Sequence, residues 1–311
     1  MNQEIKDVVM IGAGPSALAA AIYTTRENIS TALYEKGAIG GLAAITDMVD
    51  NYPGFPDGIE GMTLAASLEK QAERFGAHIE FGDVSSIRNQ GDVKVVTVDG
   101  VDVLAKTVLI ATGSDYNKIG VPGEAEYYGR GVHYCATCDG AFYRDKRLVV
   151  VGGGNSAVQE AIFLTRFTSH IDLLVRSTVK ASEVLQDDLQ KFIDEGKITV
   201  HLHTTPEEIV ATDGKITSVK VSRDGKPGVI ETDGVFIFVG LKPNTQFLAE
   251  SGIELDEQGL IKTDNKLQTN IPGIFASGDV RSGATMQIAS AVGEGATAAL
   301  SIREYIDEQK H

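Results

Sequence analysis

The chain alternates short, unbroken apolar runs with longer segments in which apolar positions recur every three or four residues. Near the start, "VVMIG" leads into "GAGPSA" and then "LAAAIYTTRE", and a second run, "TALYE", ends on Glu35. Apolar runs of this length bounded by glycine read as buried strands, and the segment between them reads as a helix. The same order returns in "RLVVVGGGNSAVQEAIFLTRF", after which "IDLLV" ends at Val175. Two further runs, "TVLIATG" and "IPGIFASGDV", stop at Gly113 and at Gly278 and Asp279. Each predicts a parallel strand that arrives at a ligand crevice. The last periodic stretch, "ASAVGEGATAALSIREYI", predicts an amphipathic helix that closes the first domain.

Both strand–glycine–helix joints share one spacing. Gly12, Gly14 and Ala17 form Gly-x-Gly-x-x-Ala, and Gly152, Gly154 and Ala157 repeat it 140 residues later. In such a joint the first glycine permits a tight turn and the second lets a pyrophosphate approach the backbone. The small third residue lets helix and strand pack, with the helix N-terminus facing the phosphates. Glu35 lies 21 residues after Gly14, where a carboxylate would bind ribose hydroxyls, and Val175 lies 21 residues after Gly154. Two copies in this context predict two nucleotide sites. The turn-rich segments "SDYNKIGVPGE" and "GLKPNTQ" bracket the second copy. The expected fold is α/β, with two Rossmann-like three-layer dinucleotide-binding domains, the second inserted in the first. Residues 1–116 with 246–311 would form one domain and residues 117–245 the other.

Composition narrows the function. A chain of 311 residues with 42% hydrophobic and 23% charged positions is globular and long enough for two cores. A net charge of −15 disfavours nucleic acid and anionic membrane as partner surfaces, and neither is expected. The polar start and short first apolar run predict neither a signal peptide nor a span, hence a cytoplasmic protein.

Only two cysteines occur, Cys135 and Cys138, in "GVHYCATCDGAFY". The pair could be a metal clip, a structural bridge or a redox couple. A reducing cytosol disfavours a permanent bridge. Zinc wants four ligands, and His133, or His201 with His203, would have to complete the set without the usual spacing, so no metal is expected. Cysteines three apart on one helical turn have Cα atoms about 5 Å apart, close enough to open and close a disulfide with little backbone movement. Asp139 is placed either to handle the proton or to cap a helix. Asp279, just past a strand end, is placed to bond a polyol or a pyrophosphate water, or to cap a turn.

"GAGPSA", "DNYPGFPDGIEG", "ATG", "CATCDGAFY", "VVGGGNSAVQEA" and "GIFASGDVR" follow one another in that order. In this the chain resembles, nearly end to end, the low-molecular-weight bacterial-type thioredoxin reductases of the FAD-dependent pyridine nucleotide-disulfide oxidoreductase family. The resemblance implies FAD in the first domain, NADPH in the second, a homodimer, and a disulfide that relays electrons to thioredoxin. Carried across, Cys138 is the flavin-proximal sulfur, Cys135 attacks the substrate disulfide and Asp139 manages the proton. For FAD the matching positions are Gly12, Gly14, Ser16, Ala17, Glu35, Gly41, Asn51, Asp279 and Gln287. For the nicotinamide dinucleotide they are Gly152, Gly154, Asn155, Ser156 and Ala157, with Arg176 and Lys180 toward the 2′-phosphate. Arg130 and Phe142 fall where the family docks thioredoxin.

The chain departs from the family pattern in three places. Relatives that use NADPH carry His-Arg-Arg-x-x-x-Arg after the second unit's last strand, whereas this chain reads "VRSTVKAS". Val175 and Ser177 thus replace a histidine and an arginine, and Lys180 lacks the bidentate fork of arginine. NADH would want a carboxylate at or beside position 175, and none lies between Asp172 and Glu183. Leu42 stands where relatives have glutamine near the flavin, and Ala141 replaces an aromatic residue before Phe142. The alternatives are the same reductase fed by NADH or a reduced ferredoxin-like protein, a dithiol oxidase, or a flavin-bound redox sensor.

Overall fold

A computed structural model of the chain describes residues 4–46 and 48–310. It forms two compact units, Met1–Asp115 with Lys242–His311, and Tyr116–Leu241. The second crossing falls at Leu241–Lys242 and not after residue 245. Asn244 explains this placement: its Nδ2 donates to the Thr112 carbonyl at 3.0 Å, and its own carbonyl accepts from Thr112 Oγ1 at 2.8 Å. Those bonds hold "PNT" to the first unit. Both crossings run through short strands, Ser114–Tyr116 and Leu241–Pro243.

In the first unit, five parallel strands lie in the order His78–Phe81, Thr31–Glu35, Ile5–Ile11, Val101–Ile110 and Ile274–Ala276. Side chains alternate between the two faces of this sheet. Val8, Met10, Leu33, Leu109 and Phe275 face the helices Pro15–Arg26, Gly61–Arg74 and Ile288–Glu308, which contribute Leu18, Leu64, Leu68 and Ile302. Val9, Ile11, Val108, Ile110 and Ile274 pack with Val84, Ile87, Val96 and Val98. Those last four belong to Val84–Gln90 and Val93–Val98, which continue antiparallel from the first half of Val101–Ile110. Both faces are covered, which is why the central strands read as unbroken apolar runs. Each fully buried Leu, Ile, Phe or Met contributes about 1.5–3 kcal/mol.

The second unit uses the same plan. Its parallel order is Val132–His133, Gly234–Ile237, Arg147–Val151, His170–Leu174 and Ile198–His201. Leu148, Val150, Ile171, Leu173 and Phe236 meet the helices Asn155–Leu164 and Glu183–Asp194. Val149, Val151, Val235 and Ile237 meet an antiparallel meander of Thr204–Thr212, Lys215–Arg223 and Lys226–Glu231. Helix layer, parallel sheet and meander thus recur in both units. No helix among the described residues is long and apolar enough to cross a membrane.

Candidate active site

In the first unit the glycine turn sits at the carboxyl end of Ile5–Ile11. Gly12 has φ +98°, and a Cβ there would stand 2.5 Å from the Ala111 carbonyl oxygen, so only glycine lets the two strands end side by side. Gly14 differs. Its backbone is extended, and a Cβ would meet nothing within 4 Å, so the turn faces open space. The helix that follows begins at Pro15 with no side-chain cap, leaving its first N–H groups directed outward. Ala17 is fully buried beneath the turn.

Several residues far apart in sequence converge on this turn. Gly41 lies against Gly14, with its Cβ position 3.7 Å from the Gly14 Cα. The Gly40 N–H donates to the Ala13 carbonyl at 2.8 Å. Glu35 accepts from the N–H groups of Ala13 and Gly37, both at 2.7 Å, which fixes the carboxylate beside the turn. Ser16 is buried, and its hydroxyl meets Ser277 at 2.6 Å, tying the first helix to the Gly278–Asp279 segment. Asn51 donates to Gln287 at 3.0 Å, just before the helix Ile288–Glu308 begins. The backbone of Asp279 is held by Ser114, whose hydroxyl donates to its carbonyl at 2.6 Å.

The Asp279 carboxyl has no hydrogen-bond donor among the described residues. Burial, with the Glu294 carboxylate second, pushes its pKa up to about 6. Glu294 is itself engaged by Arg281 at 2.6 Å and by the Gly278 N–H at 2.8 Å. A half-buried carboxyl without a donor, beside an open glycine turn and an uncapped helix start, fits a ligand that brings hydroxyls and a pyrophosphate. FAD is such a ligand. Leu42 lies in the short helix Gly41–Ala44 next to this crevice and offers no hydrogen bond from its side chain.

The second unit repeats the turn. Gly152, φ +144°, would drive a Cβ into the Phe238 carbonyl and the Ala157 methyl, whereas Gly154 faces open space. The helix from Asn155 has no side-chain cap, and Ser156 is exposed in its first turn. Asn155 Oδ1 instead accepts from the Ser182 N–H at 2.8 Å. The strand stops at Leu174, and buried Val175 packs over Gly153. Arg176 and Lys180 are exposed, and no carboxylate pairs with either among the described residues. Asp172 is occupied internally: His201 at 2.7 Å and Arg147 at 3.4 Å bond it and, against the effect of burial, hold its carboxyl below the usual range.

Cys135 and Cys138 form a disulfide with Cα atoms 5.3 Å apart. Cys135 is the N-cap of the four-residue helix Ala136–Asp139, its sulfur accepting from the Cys138 N–H at 3.2 Å. Both sulfur residues are half-buried. Asp139 follows at the helix end, its carboxylate 3.2 Å from His133 Nδ1. His133, weighed as a metal ligand on sequence, has its other nitrogen 2.7 Å from the Tyr143 hydroxyl. No cluster of three or more His, Cys, Asp and Glu side chains suited to a metal occurs among the described residues. Arg130 and Phe142 are both exposed on this unit, Phe142 by 50%. Sequence reasoning passed over the roles of Tyr143, Glu294 and Ser277. The tyrosine eight residues after Cys135, partly buried in the fold, was the one available signal.

Residues 6–295 match the model of the pyridine nucleotide-disulphide oxidoreductase family, and the chain belongs to that family. It is an oxidoreductase whose vicinal disulfide fits a redox centre. Thioredoxin reductase of Listeria innocua is 42% identical over 99% of this chain and 96% of its own length. Thioredoxin reductase of Bacillus subtilis is 41% identical over the same shares. Among solved structures, thioredoxin reductase from Streptococcus pyogenes is 41% identical with a TM-score of 0.93, covering 98% of this chain and 99% of its own. The Giardia duodenalis thioredoxin reductase is 31% identical with a TM-score of 0.91, covering 98% and 100%.

Proposed function

We propose that the chain is a thioredoxin-disulfide reductase that passes electrons from NADPH through FAD and the Cys135–Cys138 couple to a thioredoxin-like protein. The observation that carries this reading is the formed vicinal disulfide just before the second glycine turn, in a chain about 42% identical to thioredoxin reductases. FAD belongs with the first unit, held by Gly12, Gly14, Ala17, Glu35, Gly41, Asn51, Asp279 and Gln287, with Ser16 bracing the crevice. Gly152, Gly154, Asn155, Ser156 and Ala157 receive the nicotinamide dinucleotide. The chemistry that FAD supplies when bound is two-electron transfer between a nicotinamide and a disulfide.

Cys138 takes the electrons, and Cys135 attacks the substrate disulfide through a mixed disulfide. Asp139 supplies and recovers the proton as thiolates form and are consumed. Arg130 and exposed Phe142 offer a cation and an apolar anchor for a small protein. The working form is a homodimer in the cytosol. Arg176 and Lys180, free of carboxylate partners among the described residues, favour NADPH over NADH as the donor.

Stopped-flow bleaching of the flavin tests the reading. NADPH bleaches it faster than NADH, and Cys135→Ser abolishes thioredoxin turnover while leaving the flavin reducible. Failure of both nicotinamides to bleach the flavin refutes the assignment and moves weight to a ferredoxin-like donor or to a sensor. Loss of flavin reducibility in Cys135→Ser refutes the division of labour between the two sulfurs.

A further inference from the structure

His133 stands two residues before Cys135 and is almost enclosed, its side chain 6% exposed. Burying an imidazole requires partners for both nitrogens. Nδ1 faces the Asp139 carboxylate at 3.2 Å, and Nε2 faces the Tyr143 hydroxyl at 2.7 Å. The ring is stacked on Phe236, its register partner in the neighbouring strand, with centroids 5.1 Å apart. Tyr143 meets the imidazole edge-on at 5.3 Å and Phe236 edge-on at 5.5 Å. Its place in the wall depends on Gly234, where any Cβ would strike the tyrosine ring. The three-residue chain Asp139–His133–Tyr143 is built within residues 133–143, on the strand Val132–His133, the helix Ala136–Asp139 and the 3-10 turn Gly140–Tyr143 that follows it directly.

The arrangement selects one tautomer. Burial, with the Asp139 and Asp233 charges adding to it, raises the Tyr143 pKa, so the phenol keeps its proton. The Asp139 carboxylate offers Nδ1 only acceptor oxygens, so the single proton of a neutral imidazole belongs on Nδ1, and Nε2 is left to accept from the Tyr143 hydroxyl. Asp139 is only 14% exposed at its side chain, so a fixed donor matters more to it than it would to a solvated carboxylate. The other titratable group that senses Asp139 is Tyr128, whose pKa burial and the Asp139 charge raise together.

We propose that His133 is a positioning residue for Asp139: it holds the carboxylate through Nδ1–H in one orientation, with Nε2 accepting from the Tyr143 hydroxyl. It thereby fixes the geometry of the group that serves the Cys135–Cys138 couple. This rests on the proton role given to Asp139 above. When two electrons open the disulfide, one nascent thiolate is protonated by a proton that arrives from solvent by way of the Asp139 carboxylate, which the His133 N–H keeps in place. When the substrate disulfide oxidises the dithiol, that thiol proton passes to the leaving substrate thiolate.

The test is a carbon-13 NMR titration of the Asp139 carboxyl in the FAD-loaded protein, assigned by its loss in Asp139→Asn. It is paired with the pH profile of Cys135 alkylation by iodoacetamide after dithiothreitol reduction. His133→Phe removes the donor and raises the carboxyl midpoint by about one pH unit, and Tyr143→Phe shifts it the same way by less. His133→Gln, whose amide can donate to Asp139 and accept from Tyr143, stays within about half that shift. An unmoved midpoint in His133→Phe overturns the proposal, as does a His133→Gln shift equal to that of His133→Phe. A shifted carboxyl midpoint with an unshifted alkylation curve leaves the His133 contact standing and overturns the proton role of Asp139 instead.

Discussion

Replacing Gly14 by alanine separates two demands that a glycine turn usually combines. The backbone at Gly14 has φ −74° and ψ 178°, a region open to any residue, and a Cβ meets no heavy atom within 4 Å. Stiffening the unfolded chain favours the alanine form by about 0.4–1 kcal/mol. The poorer N-cap preference of alanine costs about 0.5–1 kcal/mol in return. The net change in apoprotein stability is about zero. The methyl, however, enters the space in front of the uncapped helix start. Losing one charge-assisted hydrogen bond between these N–H groups and a phosphate costs about 1.5–3 kcal/mol, a rise of at least about tenfold in the FAD dissociation constant.

Gly12→Ala is the contrasting control, because φ +98° and the Ala111 carbonyl at 2.5 Å both oppose a side chain. Backbone strain of about 1–3 kcal/mol and overpacking of about 1–3 kcal/mol fall on folding itself. Urea unfolding of chaotrope-stripped protein reads the stability, and quenching of flavin fluorescence on titration reads the affinity. Gly14→Ala with unchanged FAD affinity would show that no phosphate approaches this turn, and a Gly14→Ala apoprotein destabilised by several kcal/mol would show that the turn is closed.

The remaining predictions concern charge. Asp279 titrates at about 6 when folded against 3.8 as its reference, so the folded state prefers the protonated form and stability falls as pH rises through that window. Asp279→Asn apoprotein is therefore more stable than the parent by about 3 kcal/mol at pH 7 and by no more than about 0.5 kcal/mol near pH 4, by urea midpoints, yet binds FAD more weakly. Equal stability at both pH values would refute the burial argument. Arg176→Ala and Lys180→Ala each raise KM for NADPH several-fold, leaving kcat and the KM for NADH unchanged. An equal effect on both nicotinamides would assign the two cations to a role other than 2′-phosphate recognition.

Much of the molecule was legible before folding was considered. Parallel strands buried on both faces must be apolar throughout, so "VVMIG", "TVLIA" and "RLVVV" announce themselves as β-structure. A helix start that receives phosphate must have small residues at fixed offsets, and that spacing showed the repeat. The insertion followed from the two turn-rich segments that bracket the second copy. The exact second crossing did not, because "PNT" is held to the first unit by Thr112, a partner 132 residues away.

The sequence by itself determined the two-fold plan, the candidate nucleotide turns and the chemistry available to the single cysteine pair, because these depend on local spacing and on which residue types tolerate burial. Only the tertiary structure decided what the polar side chains contact. Ser16 and Ser277, Asn51 and Gln287, and Glu294 and Arg281 meet through side chains whose directions are set by packing. The same is true of His133: on sequence it was one nearby imidazole available to complete a metal site, and in the fold its two nitrogens face Asp139 and Tyr143. Short-range patterns fix elements, whereas a hydrogen-bond partner depends on where separate elements are packed, and that information is spread over the whole chain.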